Sequence, residues 1–186
     1  MPGEAFWETL GYWSYLASAV VCACLAVWVG RGGKLTRVRQ AACLAVGMMA
    51  CWALLAAAYA PLSTWAMLAE CARNLAWLFL LYCLFESVGQ HKTVQPVRPV
   101  LLTLATLEGV QPLFLLAQRE LAQVADAPDL VFQTTVILHL LVAIGALLLT
   151  HNLYVNALAS PSAKSDMRWS VAAIAAMWVI ELNYYT

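Results

Sequence analysis

Charged and amide side chains interrupt the apolar stretches of this chain at a few positions, and these are the residues that could do chemistry. The segment 68–79 carries Glu70, Arg73 and Asn74 between apolar residues. Glu70 and Arg73 are three residues apart, which places them on one face of a helix. An ionised side chain at the centre of a spanning helix costs about 2.5 to 3.5 kcal/mol on insertion scales. Such residues predict either a pairing inside the protein or a functional site.

Three later apolar stretches contain similar interruptions. Glu108 is followed one turn later by Gln111 and by a proline, which leaves a backbone carbonyl for a polar neighbour to satisfy. His139 stands near the middle of the fifth stretch, and Glu181 stands in the sixth beside an asparagine. The predicted intramembrane polar cluster is Glu70, Arg73, Asn74, Glu108, Gln111, Glu181 and Asn183, with His139 as a weaker candidate.

These residue types allow two interpretations. In the first, Arg73 is the counter-charge of Glu108 or Glu181, and the cluster senses a ligand or carries a proton. In the second, the same groups form a structural clamp, because buried ion pairs without a ligand are common in proteins. Residue spacing alone leaves both interpretations open.

Other chemistry is disfavoured by the residues present. The remaining histidines, His91 and His151, fall at the edge of apolar stretches, where they could not serve with His139 as axial ligands of a haem. Metalloprotease, hydrolase and phosphate-loop motifs are absent from the sequence. The cysteines lack Cys-x-x-Cys spacing and are expected to be structural thiols. We therefore predict no catalytic residue, no metal ion and no cofactor. The cysteines are Cys22, Cys24, Cys43, Cys51, Cys71 and Cys83.

The elements that must position the polar residues are long apolar helices. The chain has 186 residues, of which 63% are hydrophobic and 11% are charged. A soluble globular protein of this size would need more polar residues to cover its surface. A spanning helix needs about 20 mostly apolar residues. The sequence predicts a single all-α, polytopic transmembrane bundle of about six spans over residues 1–186, truncated at its carboxy end. The predicted spans are 7–29, 40–60, 63–85, 99–118, 130–150 and 169–186.

The distribution of charge predicts the orientation of these spans. Basic residues favour the cytoplasmic side, and they concentrate in the loops that hold Lys34, Lys92 and Lys164, whereas the loop around Asp126 is mainly acidic. The amino terminus is therefore predicted outside. Tryptophans and tyrosines near span ends, including Trp28 and Tyr185, predict belts at the membrane surface. Because the net charge is zero and no face is strongly basic, the expected partner is the lipid bilayer rather than nucleic acid.

Three short strings resemble the membrane region of PrsK-type sensor histidine kinases, which accompany the exosortase and PEP-CTERM sorting system. Residues 152–156 read Asn-Leu-Tyr-Val-Asn, residues 168–169 read Arg-Trp, and residues 181–185 read Glu-Leu-Asn-Tyr-Tyr. The segment 68–79 is similar to the family's Glu-x-x-Arg-Asp/Asn-x-x-Trp helix. The chain departs from the family pattern at Val155, where the family usually has arginine.

The resemblance implies a membrane-embedded sensory domain of a bacterial two-component kinase in the inner membrane. In the family, cytoplasmic sensory and kinase domains follow the membrane region, so the longer protein would be an enzyme although this chain carries no catalytic motif. With the amino terminus outside, six spans return the carboxy end to the outside, so an odd number of further spans would have to precede a cytoplasmic kinase. Two alternatives stay open. One is an accessory or structural subunit of a larger membrane complex, and the other is a small transporter or channel. Other membrane subunits or a second copy of the chain are the protein partners considered.

Overall fold

A computed structural model of the protein describes residues 2–32, 36–88, 96–121, 127–158 and 164–185. Within these ranges the chain forms six helices and no strand, which confirms the prediction of an all-α fold. The loop positions Lys34, Lys92 and Asp126 lie outside the described residues. The helices are α1 (Pro2–Arg31), α2 (Arg37–Tyr59), α3 (Thr64–Val88), α4 (Val97–Leu121), α5 (Ala127–Leu158) and α6 (Lys164–Tyr185).

Helices α1 to α5 each contain a segment long and apolar enough to cross a membrane. By this measure of length and composition, the protein is a multi-pass membrane protein. Large apolar side chains point outward along these helices, including Trp28, Leu102 and Leu148, as expected where lipid is the solvent. Helix α6 is less apolar and is not among the five candidates, so its crossing stays a prediction. The candidate segments are Thr9–Arg31, Arg37–Tyr59, Thr64–Ser87, Val97–Leu116 and Leu130–Asn156.

The chain divides into two compact units, Met1–Leu80 and Leu81–Thr186, which are described separately. In unit 1, α2 packs along α1. Small side chains allow two helices to approach closely, and every buried residue of α2 is an alanine. These alanines are Ala41, Ala45, Ala50, Ala53 and Ala56.

Local hydrogen bonds set the helix ends in unit 1. The hydroxyl of Thr36 accepts from the backbone N–H of Arg39 at 3.4 Å and caps the start of α2. The Arg39 guanidinium donates to the carbonyl of Val29 near the end of α1, where a positive charge is favourable. Ser63 caps α3 in the same way as Thr36 caps α2, by accepting from the N–H of Ala66 at 3.3 Å.

In unit 2, α5 packs against both α4 and α6. The approach of α4 to α5 is close at Gly145, where an added Cβ would lie 2.6 Å from a methyl carbon of Leu104. Glu108 lies one helical turn after Leu104 on α4. The glycine therefore brings the two helices together next to the polar residues of this unit.

Candidate functional site

The polar residues of unit 1 surround one buried guanidinium. Arg73 lies on α3 with only 2% of its surface exposed. Its Nε and one terminal nitrogen donate to Asn74 Oδ1 at 3.2 and 3.1 Å. A terminal nitrogen also lies 3.8 Å from a carboxylate oxygen of Glu70. From α2, the ring of Trp52 faces the guanidinium, with 4.3 Å between the Arg73 Cζ atom and the ring centroid. We call Trp52, Glu70, Arg73 and Asn74 the Arg73 cluster.

The Arg73 cluster matches the chemistry of a guanidinium. Arginine presents several N–H donors in one plane and stacks on aromatic faces, whereas lysine presents a point charge. A cation over an indole face is stabilised by about 2 kcal/mol or more when both groups are removed from water. The Glu70 contact supplies charge compensation and the Trp52 contact supplies packing. The Arg73–Trp52 contact links a side chain of α3 to a side chain of α2.

The polar residues of unit 2 come from three helices. On α4, Gln111 Nε2 donates to Glu108 Oε2 at 3.0 Å. The second carboxylate oxygen, Glu108 Oε1, lies 3.9 Å from Nδ1 of His139 on α5. From α6, a carboxylate oxygen of Glu181 lies within 4.8 Å of a His139 ring nitrogen. The Tyr185 ring stacks on the imidazole, with centroids 4.5 Å apart and planes inclined by 15°. We call Glu108, Gln111, His139, Glu181 and Tyr185 the His139 cluster.

Four of the five side chains in the His139 cluster are buried, and a hydrogen bond orients one of them. Glu108 and Gln111 have no exposed surface, and His139 and Glu181 are also buried. The bond from Gln111 holds one oxygen of Glu108, so the other oxygen faces His139. Pro112 has no N–H to donate to the Glu108 backbone carbonyl one turn earlier, which adds acceptor capacity beside the carboxylate. Such a group of donors and acceptors can hold a cation or a proton.

Most of the residues predicted from the sequence are buried in one of these clusters. Asn183 is the exception, because it is exposed and its amide donates to the Val179 carbonyl of its own helix at 2.8 Å. His139, the weaker candidate, lies at the centre of the unit 2 cluster. The pairing of Arg73 with Glu108 or Glu181 stays a prediction.

Sequence reasoning missed Trp52 and assigned Tyr185 to the membrane surface. Trp52 lies 21 positions before Arg73 on another helix, and nothing in its local sequence marks a contact with a cation. Tyr185 had one usable signal, the Glu-Leu-Asn-Tyr-Tyr string, which spaces it four residues from Glu181 on one helix face. His151, which sequence reasoning rejected as a second axial ligand of a haem, is exposed on α5 and lies twelve positions after His139.

Comparisons of this chain with protein-family models, with curated proteins and with solved structures gave no match.

Proposed function

We propose that this chain is the membrane-embedded sensory domain of a bacterial sensor histidine kinase of the inner membrane. One observation carries the proposal. Four ionisable and amide residues of the strings that resemble the kinase family are buried, namely Glu70, Arg73, Asn74 and Glu181, each at most 5% exposed. A merely lipid-facing helix would not retain them, because each charge is costly at membrane depth.

Buried polar groups suit a sensor because they can stabilise alternative arrangements of the same helices. A signal acts on such a domain by favouring one of two packings, and it can shift their populations only by its difference in affinity for them. Rearranging a hydrogen bond or a charge contact inside a low-dielectric bundle changes energy more than rearranging an apolar contact does. The residues on α3 and α6 would transmit the change along rigid helices to a cytoplasmic kinase.

The test is a substitution that changes charge with little change in shape. In the natural full-length protein, Glu181→Gln is expected to alter autophosphorylation in membrane vesicles, or transcription of the kinase's target genes, at unchanged protein level. The matched control is Glu86→Gln, since Glu86 is an exposed glutamate on α3. It should leave both abundance and output at the level of the unmodified protein.

The other outcomes separate the competing functions. Loss of the protein with Glu181→Gln would favour the structural clamp. Normal abundance with unaltered output would remove Glu181 from the sensing site. If the natural protein carries no kinase domain and copurifies stoichiometrically with a larger membrane complex, the sensor function is wrong and the accessory-subunit function is favoured.

A further inference from the structure

The described buried side chains of unit 2 have an excess of negative charge. Two are carboxylates, Glu108 and Glu181, whereas the cationic side chain, when protonated, is His139. With a neutral imidazole the excess is two charges. Because ionised carboxylates are strongly penalised at low dielectric, this unit favours uptake of additional positive charge. Both carboxylates belong to the His139 cluster.

We propose that the His139 cluster binds one divalent transition-metal cation of the zinc class, with Glu108, Gln111, His139 and Glu181 as its donors. The proposal does not depend on the sensory function. One imidazole nitrogen with carboxylate and amide oxygens is a donor set that zinc and its neighbours in the first transition row accept. A divalent charge also matches the two carboxylates of the cluster.

The distances in the cluster are close to those that such an ion requires. Zinc binds nitrogen at about 2.0–2.1 Å and carboxylate oxygen at about 2.0–2.2 Å, so two donors on a tetrahedral ion lie about 3.3 Å apart. Glu108 Oε1 and His139 Nδ1 are 3.9 Å apart. The Glu181 oxygen lies within 4.8 Å of a ring nitrogen. The 3.9 Å separation exceeds the ligand spacing, so an ion would have to draw the carboxylates toward the imidazole.

A second observation points independently to a ligand. Gln111 is fully buried, and among the described residues its Oε1 atom has no hydrogen-bond donor, although its Nε2 atom is bonded to Glu108. An unsatisfied buried acceptor is costly, and a cation beside it would remove that cost. The stacked Tyr185 ring also orients the imidazole, as groups behind metal ligands commonly do.

The sequence alone did not reveal this site because its four donors lie on three helices. Positions 108, 111, 139 and 181 match no local ligand spacing, whereas motif searches detect ligands that share one helix or one turn. Packing of α4 and α6 against α5 is what assembles the donors.

The experiment uses the full chain in detergent, without a polyhistidine tag and after treatment with a chelator. Titration with Co²⁺, a coloured substitute for Zn²⁺, should produce a visible absorption band that saturates at one ion per chain, and Zn²⁺ should displace it. His139→Gln should weaken Co²⁺ binding at least ~100-fold, and Gln111→Leu should weaken it by roughly 10-fold or more. The matched control is His151→Gln, which changes an exposed histidine on the same helix.

The outcomes are decisive even if a variant fails to fold. Absence of saturable Co²⁺ or Zn²⁺ binding by the unmodified, folded chain would overturn the proposal. So would binding that a folded His139→Gln variant retains at full strength. Stoichiometric binding that persists in His151→Gln and is lost in a folded His139→Gln or Gln111→Leu variant would support it.

Discussion

At the scale of single residues, Arg73 illustrates why a guanidinium and not simply a positive charge is required. Two of its nitrogens share one acceptor, Asn74 Oδ1, while the flat face of the group lies over Trp52. A lysine ammonium could approach Glu70 but could not make the paired bonds and the stacked contact together. The geometry of the donor therefore matters as much as its charge.

The corresponding prediction is that Arg73→Lys lowers the free energy of unfolding by about 1–3 kcal/mol, because a charged hydrogen bond is lost in a buried place. The measurement is unfolding of the detergent-solubilised protein by added SDS, followed by tryptophan fluorescence. Arg98→Lys is the control, since Arg98 is exposed on α4, and it should change stability by less than about 0.5 kcal/mol.

A double-mutant cycle identifies the partner of Arg73. Combining Arg73→Lys with Trp52→Leu should cost less than the two single changes added together, by about 0.5–3 kcal/mol, because the residues are in direct contact. Full additivity, with both single variants folded, would contradict an energetic role for this stacking.

The sequence predicted which residues are buried better than it predicted their neighbours. A charge within an apolar run is expensive in lipid, so burial of Arg73, Glu108 and Glu181 was expected from their positions within apolar stretches. Their partners do not follow, because Trp52 and Tyr185 reach their contacts through packing of helices distant in the chain. Hydropathy contains no information about that packing.

At the scale of helices, apolar runs marked the existence of each element but underestimated its length. The fifth span was predicted over 130–150, whereas α5 is Ala127–Leu158, about 48 Å at 1.5 Å per residue. That exceeds the roughly 30 Å of hydrocarbon in a bilayer. The length of an apolar stretch follows the thickness of the membrane. The helix itself can extend beyond that stretch, because it ends only where a capping residue, a proline or a turn stops it. The helix continues beyond the predicted span through the Asn152–Asn156 string.

One helix end carries a strained residue. Ala60, which follows α2, has φ 71° and ψ 150°, and it is the one non-glycine residue with positive φ in the described part of the chain. An L side chain is disfavoured there, and glycine is not. The backbone turns sharply at this position into α3, and the Ala60 carbonyl accepts from the Ser63 N–H at 3.1 Å.

We therefore predict that Ala60→Gly raises the free energy of unfolding by about 1 kcal/mol. The control makes the same substitution two residues earlier, at Ala58, which is exposed within α2. Ala58→Gly should lower stability by at most about 0.5 kcal/mol, because glycine is mildly unfavourable in the last turn of a helix. The same SDS titration compares the two variants. Destabilisation of equal size by both would mean that the strain at Ala60 contributes nothing.

At the scale of the whole molecule, function depends on which ends of the helices face the cytoplasm. Basic residues cluster in the first, third and fifth loops, and the fourth loop and the amino terminus are mainly acidic. Retention of Lys and Arg in the cytoplasm orients short-loop membrane proteins. The α1–α2 connection is short, with Arg31 and Arg37 at its two ends, which agrees with two antiparallel spans and a basic loop between them.

The topology prediction is tested by introducing single cysteines at positions 34, 92 and 126. All six native cysteines are free thiols within the helices and must first be replaced. The reagent is a maleimide that cannot cross the membrane in which the protein is embedded. In cells where that membrane is intact, it should label position 126 and spare positions 34 and 92, because basic loops remain in the cytoplasm. After the membrane is permeabilised, all three positions should react, which controls for local accessibility. Labelling of position 34 in intact cells, with protection of position 126, would show that the orientation is the opposite of the predicted one. Any cytoplasmic signalling contact would then lie at the opposite ends of the helices.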